Sequence, residues 1–182
     1  MRIVAGTVRG RTLKAPKSAA VIRPTADRVR ESVFNVLGQS CDGLRVLDLF
    51  AGTGALAFEA LSRGATRAVL VDSGREAQQL CHDNAQSLGF TSMIEVLPLS
   101  AERAIAKLSV RGDRFELIFA DPPYAQAAVD NLLAWLNTHP LLEAGGRLVI
   151  EHSKHETAPE LAGAFTRVDQ RIFGETVVSI FG

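Results

Sequence analysis

Val46-Leu-Asp-Leu-Phe-Ala-Gly-Thr-Gly54 is the stretch of the sequence that decides the fold. It begins as an apolar run that predicts a buried strand, and it ends in Gly52 and Gly54. Glycines at these positions let the backbone turn sharply and approach a ligand closely. The residues that follow predict a helix, whose N-terminus would favour a carboxylate or phosphate group. A strand, a glycine loop and a helix in immediate succession predict a ligand site at the end of the strand.

The same alternation of strand and helix continues towards the C-terminus. We predict strands at 46–50, 68–71, 94–97, 117–120 and 148–150, and helices at 55–63, 75–88, 101–108 and 127–136. The strands are apolar at nearly every position, which is typical of parallel strands that helices cover on both faces. Residues 165–173 and 176–181 flank a short turn and predict an antiparallel hairpin. The predicted fold is therefore α/β and Rossmann-like, with a mostly parallel sheet of about seven strands and an antiparallel C-terminal hairpin.

Residues 1–44 depart from this alternation and are predicted to form a basic extension that packs on a core of residues 45–182. Alternating residues at 2–5 and 9–13 predict a β-hairpin, and Thr25 is expected to cap a helix. Residues 1–45 carry a net charge of +6, whereas the remainder carries −6. A basic arm on an acidic body suggests a polyanionic partner. A solvated basic face without a partner explains the charge equally well.

Length and composition exclude several classes of protein. The 182 residues, 47% of them hydrophobic, suit one globular domain. No apolar run reaches the roughly 18 residues of a membrane span, and residues 1–10 lack the apolar core of a signal peptide. Cys41 and Cys81 have no metal-like spacing, so we expect no structural disulfide and a reducing, cytoplasmic setting. His152 and His155 are interpreted as part of a solvated connection between a strand and a helix, and no metal is expected.

Asp48 narrows the kind of ligand that the glycine loop would hold. A full dinucleotide fingerprint needs a third glycine, and this sequence has Ala57 at that position. A buried carboxylate would repel a pyrophosphate, but it would favour a cationic ligand that also carries an ammonium group. The amino-acid end of S-adenosylmethionine is such a ligand. A nicotinamide-dependent oxidoreductase is therefore the disfavoured alternative.

Two further acidic positions follow strands. Asp72 ends the second strand, where an acid suits two ribose hydroxyls, although a helix cap is the alternative. Asp121-Pro-Pro-Tyr124 follows the fourth strand. Its prolines stiffen the loop and leave backbone carbonyls as free acceptors, while Tyr124 offers a flat face for stacking a base. This tetrapeptide suits the amino group of a nucleobase, although a rigid turn with a surface tyrosine is the simpler interpretation.

Together, these motifs resemble the class I S-adenosylmethionine-dependent methyltransferases. Three N-terminal stretches resemble one family more closely: Arg2-Ile-Val-Ala-Gly6, Arg9-Gly-Arg11 and Arg23-Pro-Thr-Ala-Asp-Arg-Val-Arg-Glu-Ser-Val-Phe-Asn35. It is the bacterial 16S ribosomal RNA guanine-N2 methyltransferase family, methyltransferase D of the small ribosomal subunit, and the resemblance covers essentially the whole chain. It implies direct transfer of a methyl group from S-adenosylmethionine to the exocyclic N2 amino group of a guanine. The implied substrate is 16S ribosomal RNA. We expect this RNA to be part of a small-subunit particle, and we expect the enzyme to be a monomer.

The resemblance also implies roles for individual residues. Asp48, Gly52 and Gly54 would hold the methionine end of the cofactor, and Asp72 would hold its ribose. Ser100 and Ala101 would contact its adenine, where many relatives of the wider class carry an aspartate instead of Ser100. Asp121, Pro122 and Tyr124 would grip the target guanine. Five arginines would contact the RNA backbone or order the site: Arg9, Arg11, Arg23, Arg28 and Arg30.

Two alternatives to this function stay open on sequence. An adenine-N6 or cytosine-N4 methyltransferase acting on DNA or RNA would use the same tetrapeptide, although the chain has no separate domain to read a DNA sequence. A non-enzymatic RNA-binding assembly protein could keep the fold, and only the intact Asp121–Tyr124 motif weighs against it.

Overall fold

The computed structural model describes residues 1–16, 24–123 and 127–182, and within 24–27 it describes the backbone alone. The helices are α1 (Pro24–Val36), α2 (Ala55–Ser62), α3 (Arg75–Leu88), α4 (Ala101–Val110) and α5 (Ala128–Thr138), with a 3-10 turn at Thr91–Met93. The strands are β1 (Arg45–Asp48), β2 (Arg67–Val71), β3 (Ile94–Leu97), β4 (Phe115–Ala120), β5 (Leu142–Ser153), β6 (Leu161–Ala162), β7 (Phe165–Phe173) and β8 (Thr176–Phe181).

The strands of the described chain form one sheet in the order β3-β2-β1-β4-β5-β8-β7-β6. Strands β1 to β5 are parallel to one another, and β8 pairs antiparallel with both β5 and β7. The predicted fold class is therefore confirmed. The sheet has eight strands where about seven were predicted, because the two-residue β6 is added at its edge.

Strand β5 differs most from its predicted range. It spans 12 residues, and its pairing with β4 shifts register between Phe115 and Leu117. Two glycines interrupt the apolar pattern of this strand: Gly145, with a φ of 78°, and Gly146. The first half of the strand was therefore not predicted from the sequence. His152 was predicted to lie in a solvated connection, and this prediction is wrong. His152 is buried in β5, and its ring lies 2.9 Å from the Ser179 hydroxyl of β8.

Side chains of the strands alternate between two hydrophobic clusters, one on each face of the sheet. Val46, Phe119 and Val149 belong to the cluster that also contains side chains of α1, α2 and α3. The alternate residues, such as Leu47 and Ile118, pack with α4 and α5. The first face matters for function, because the positions two residues beyond Val46, Phe119 and Val149 are all acidic.

The N-terminal segment packs on the same face but is less regular than predicted. Instead of two hairpin strands, it has one isolated bridge between Arg2 and Thr12, supported by a backbone bond from the Ile3 N–H to the Arg11 carbonyl at 2.9 Å. Ile3 and Leu13 are buried in the core and anchor the segment. Helix α1 starts at Pro24, so Thr25 lies within the helix and the predicted cap is wrong. Proline suits this first helical position because its missing N–H would have no partner there.

None of the helices in the described parts of the chain combines the length and apolar character needed to cross a membrane.

Candidate active site

A cleft opens at the carboxyl ends of β1, β4 and β5, beneath α1 and the first residue of the chain. Its cavity has a volume of about 220 Å³. Crevices at the carboxyl ends of strands are where sheets of this kind bind ligands. The polar residues that line the cavity are Arg30, Asp48, Thr53, Asp121 and Glu151, and Gly52 of the loop lies beside them. The structure thus brings the predicted Asp48 and Asp121 together in one cavity.

The two glycines of the loop have different roles. Gly52 has a φ of 54°, and a Cβ atom built on it would meet nothing within 4 Å, so this side of the loop is open to a ligand. At Gly54, with a φ of 79°, a Cβ atom would lie 2.4 Å from the Phe58 ring. The open face of Gly52 fits the predicted approach of a ligand. Gly54 is required because α2 packs tightly against the loop.

Asp72 holds the loop in place. Its carboxylate accepts hydrogen bonds from the Gly52 N–H at 2.9 Å and from the Gly74 N–H at 2.8 Å. The alternative role of a helix cap is wrong, because α3 has Gly74 at its N-cap position and no side chain caps its N-terminus. Each carboxylate oxygen can accept a second bond, so the predicted contact with two ribose hydroxyls stays a prediction.

Asp48 is a buried carboxyl group, only 2% exposed. Burial raises its pKa to about 7, and the negative charges of Asp121 and Asp72 act in the same direction. The backbone N–H groups of Ala57 and Phe50 partly oppose this rise in pKa. An acid in this position is stabilised in its ionised form by a cation in the cavity.

Two more acids face the cavity from the next strands. Burial raises the pKa of Asp121 to about 6, although its side chain reaches solvent at the cleft mouth. Burial and the charge of Asp121 raise the pKa of Glu151 to about 7. Sequence reasoning missed Glu151. The available signal was its position directly after the buried residues of β5, the same signal that identified Asp72 and Asp121.

The predicted RNA-binding arginines divide into two groups. Arg9 and Arg28 are exposed and line a hollow of about 460 Å³ together with Arg2. Arg11 is also exposed and donates to the Ser87 carbonyl at 2.5 Å. Arg30 is 3% exposed, so burial keeps its guanidinium from an RNA phosphate and a direct RNA contact is the wrong prediction for it. Arg23 lies outside the described residues.

Glu59 of α2 connects the N-terminal segment to the core. It is 0% exposed, and its carboxylate accepts bonds from the Val4 N–H at 2.8 Å and the Ala5 N–H at 2.9 Å. It also pairs with Arg30 at 3.3 Å and with Arg63 at 2.9 Å. This buried ion-pair network holds Arg30 at the cavity wall, and the ordering role considered for Arg30 from the sequence stays a prediction.

Asn84 of α3 makes a second connection, this time to the glycine loop. Its amide nitrogen donates to the Thr53 carbonyl at 3.0 Å and to the Lys14 carbonyl at 3.1 Å. Its amide oxygen accepts from the Lys14 N–H at 2.7 Å. One buried side chain thus fixes both the loop and the end of the N-terminal segment.

Comparison with known proteins identifies the family. The model of the family described as "Conserved hypothetical protein 95" matches residues 1–182. The chain belongs to this family. Among its relatives is the "Putative rRNA methyltransferase YlbH" of Bacillus subtilis, 39% identical over 100% of this chain and 98% of that protein. Another is the "Ribosomal RNA small subunit methyltransferase D" of Escherichia coli, 29% identical over 100% of this chain and 89% of its own length. The family resemblance predicted from the sequence is confirmed.

Solved structures support the fold over the whole chain. The "Putative methyltransferase yhhF" from Escherichia coli superimposes with a TM-score of 0.84 at 29% identity, covering 100% of this chain and 96% of that one. More distant structures share the fold. One is "SMU.776, a putative methyltransferase complexed with SAH", which is 17% identical with a TM-score of 0.69 over 88% of this chain and 50% of the other.

Several residues predicted for the family's site are not tested by this geometry. Ser100 is exposed and caps α4, accepting from the Arg103 N–H at 3.4 Å, and Ala101 is the first residue of that helix. Their contact with adenine stays a prediction. Pro122 is buried beside Asp121, and Tyr124 lies outside the described residues. Within the described ranges, no group of His, Cys, Asp and Glu has an arrangement that could hold a metal ion.

Proposed function

We propose that this protein transfers a methyl group from S-adenosylmethionine to the exocyclic N2 amino group of a guanine in 16S ribosomal RNA. The observation that carries the proposal is the meeting of Asp48 and Asp121 in one cavity, at the ends of adjacent strands β1 and β4. One acid suits the cationic end of the cofactor, and the other suits the amino group of a base. The relatives named as ribosomal RNA methyltransferases support the substrate class.

The residues of the cavity fit the proposed cofactor. Asp48 is a buried acid with a raised pKa, and such a group favours a ligand that brings an ammonium group. The open face of Gly52 allows close approach to the loop, and Asp72 lies at the adjacent strand end for the ribose hydroxyls. When bound, S-adenosylmethionine supplies a methyl group that its sulfonium already activates, so no covalent enzyme intermediate is needed.

The contribution of the protein to the reaction is therefore mainly positioning. Asp121 and the backbone carbonyl of Pro122 would accept hydrogen bonds from the amino group and hold N2 in line with the methyl group. Asp121 need not be a strong base, because N2 becomes acidic as it gains the methyl group. The proton that N2 loses can pass to Asp121 or to water. Tyr124 would stack on the guanine ring.

The basic N-terminal segment would bind the RNA backbone. Arg2, Arg9 and Arg28 surround one hollow, and Arg11 lies on the same exposed segment. Because Arg30 is held inside the protein, the RNA contacts of α1 would come from Arg28 and Arg23. We propose that the enzyme acts as a monomer in the cytoplasm, on the ribosomal RNA of a small-subunit particle.

The test is to map methylated nucleosides in 16S ribosomal RNA from cells with and without this protein, and then to restore the missing methyl group in vitro. Purified protein and S-adenosylmethionine with a labelled methyl group are incubated with unmethylated subunits, free 16S RNA or DNA. We expect N2-methylguanosine at one position of the 16S RNA. Label in adenine or cytosine, or label in no nucleic acid at all, would overturn the proposal.

A further inference from the structure

Glu151 lies where the target base would have to enter the cleft. The register of β4 and β5 pairs Ala120 with Ile150, so Glu151 lies level with Asp121 on the neighbouring strand. Strand β4 separates β5 from β1. Asp48 lies level with Phe119 and Val149, so Glu151 is two strands across from Asp48 and two residues further towards the cleft. The space for the reacting groups is between these two acids.

The surroundings of Glu151 leave its carboxylate available to a ligand. Its side chain is partly buried and lines the cavity together with Asp121. Among the described residues, no hydrogen-bond donor contributes to the ionisation of either carboxyl group. Glu151 is partly buried and Asp121 lies at the cleft mouth, and the two carboxylates repel each other in their ionised forms. A ligand that brings N–H groups to this side of the cavity relieves this repulsion.

The Watson–Crick edge of guanine supplies donors in the required arrangement. N1–H and one N2–H of guanine point in the same direction, and an ionised carboxylate accepts both because its oxygens are acceptors only. Adenine and cytosine each present an unprotonated ring nitrogen next to their amino group, which would face a carboxylate oxygen without a proton between them. Enzymes that modify a base commonly read this edge once the base has left the stack.

We infer that Glu151 is the residue that selects guanine, by accepting hydrogen bonds from N1–H and the adjacent N2–H of the target base. This leaves the second N2–H for Asp121 and the Pro122 carbonyl. The inference rests on the proposed function and deepens it. In this inference Glu151 of β5 selects the base. The Asp121–Tyr124 motif binds the exocyclic amino group, which guanine, adenine and cytosine all carry.

The test exploits the difference between Glu and Gln. Once the modified position is mapped, subunits are reconstituted with guanine or 2-aminopurine at that position, and single-turnover methyl transfer is measured. 2-Aminopurine keeps the N2 amino group but has an unprotonated N1. A site built for N1–H should therefore reject it, and we expect the wild type to prefer guanine by about 100-fold or more. In Glu151→Gln the amide can donate to N1 of 2-aminopurine and accept from its N2–H, so the ratio of the two rates should fall at least about tenfold.

Glu143→Gln is the matched control, because Glu143 lies in the same strand and pairs with Arg45 on the exposed surface. It should keep the wild-type ratio. The ratio does not depend on how much enzyme is folded, so partial unfolding cannot imitate the result. An unchanged ratio in Glu151→Gln, with wild-type methylation of guanine intact, overturns this inference alone. A wild type that methylates no guanine overturns the proposed function together with it.

Discussion

The two sides of the cleft are built differently. On the side of the glycine loop, polar groups have partners within the protein: Asp72 holds the N–H groups of Gly52 and Gly74, and Asn84 holds the Thr53 carbonyl. On the side of β4 and β5, Asp121 and Glu151 face the cavity with raised pKa values, and no donor among the described residues lowers them. The loop side is organised before any ligand binds. The β4–β5 side is completed by the donors of its ligand.

The largest effect should follow from breaking the buried ion-pair network of Glu59, which attaches the N-terminal segment to α2. Glu59→Gln leaves Arg30 and Arg63 buried without their carboxylate. Breaking a buried ion pair in this way costs about 3–5 kcal/mol, so the free energy of unfolding in urea should fall by about that amount.

Glu95→Gln is the control for this prediction. Glu95 pairs with Arg67 and Arg111 at the protein surface, where an ion pair contributes at most about 1 kcal/mol. Equal losses of stability in the two variants would show that the buried Glu59 network contributes no more to folding than a surface ion pair.

Removing Asp121, an acid on the β4–β5 side of the cleft, should slow methyl transfer and leave cofactor binding intact. In Asp121→Ala we expect the rate of methyl transfer to fall on the order of 100-fold or more, as when one positioned hydrogen-bonding group is removed from an active site. Affinity for S-adenosylmethionine, measured by calorimetry, should stay within a few-fold of wild type. Turnover within a few-fold of wild type would refute the role of Asp121.

The raised pKa of Asp48 predicts how the stability of the protein depends on pH. Its pKa is raised to about 7 in the folded protein, above the value of about 4 for an unfolded chain. Neutral Asp48 therefore stabilises the unliganded fold fully below about pH 4, and this contribution is lost as the pH rises through about 7. Asp48→Asn stays neutral, so at about pH 8 its free energy of unfolding should exceed that of wild type by on the order of 1 kcal/mol.

The same variant should bind S-adenosylmethionine at least about tenfold more weakly at about pH 8, because the ammonium group loses its counter-charge. Thermal unfolding and calorimetry from about pH 5 to about pH 8 measure the two effects together. A variant that is less stable than wild type at the upper end of this range, or that binds the cofactor equally well, would contradict this account of Asp48.

The smallest effect concerns the exposed arginines. Replacing Arg9 and Arg11 by alanine should weaken RNA binding and reduce the slope of log affinity against log salt by about one for each phosphate that is no longer neutralised. Filter binding at several salt concentrations measures the slope. Arg147→Ala, a change of an exposed arginine whose guanidinium bonds to nearby backbone carbonyls, is the control. A slope that does not change in the double variant would remove the N-terminal segment from the RNA interface.

Much of the fold could be predicted from sequence because local rules determine it. The parallel strands are short apolar runs, and the range predicted for β3 agrees with the structure at both ends. The predicted range of strand β5 was too short because Gly145 and Gly146 remove the apolar signal, and they lie where the pairing with β4 shifts register. The N-terminal hairpin was overpredicted, since alternation over four or five residues does not reveal that the Val4 and Ala5 N–H groups bond to Glu59 of α2 and not across the hairpin.

Site residues that lie within one local motif were predicted from the sequence. Site residues that are brought together from distant segments were missed. Asp48 and Asp121 lie in recognisable stretches at the ends of strands. Glu59 lies inside a helix, and its partners Val4 and Arg30 are 55 and 29 residues away, so no local pattern indicates an ion-pair network. Glu151 could have been found by the strand-end rule, but its neighbour His152 suggested a solvated segment, and the burial of that histidine against β8 is a tertiary effect.

The attachment of the N-terminal segment has a consequence for how the protein is made. The segment is fixed by Glu59, Ser62, Asn84 and Ser87, which lie 54 to 76 residues further along the chain. A chain that grows from its N-terminus on the ribosome therefore cannot fix its N-terminal segment until α3 has emerged. The completion of α3 is the step that gives the exposed arginines of this segment a defined position on the folded protein.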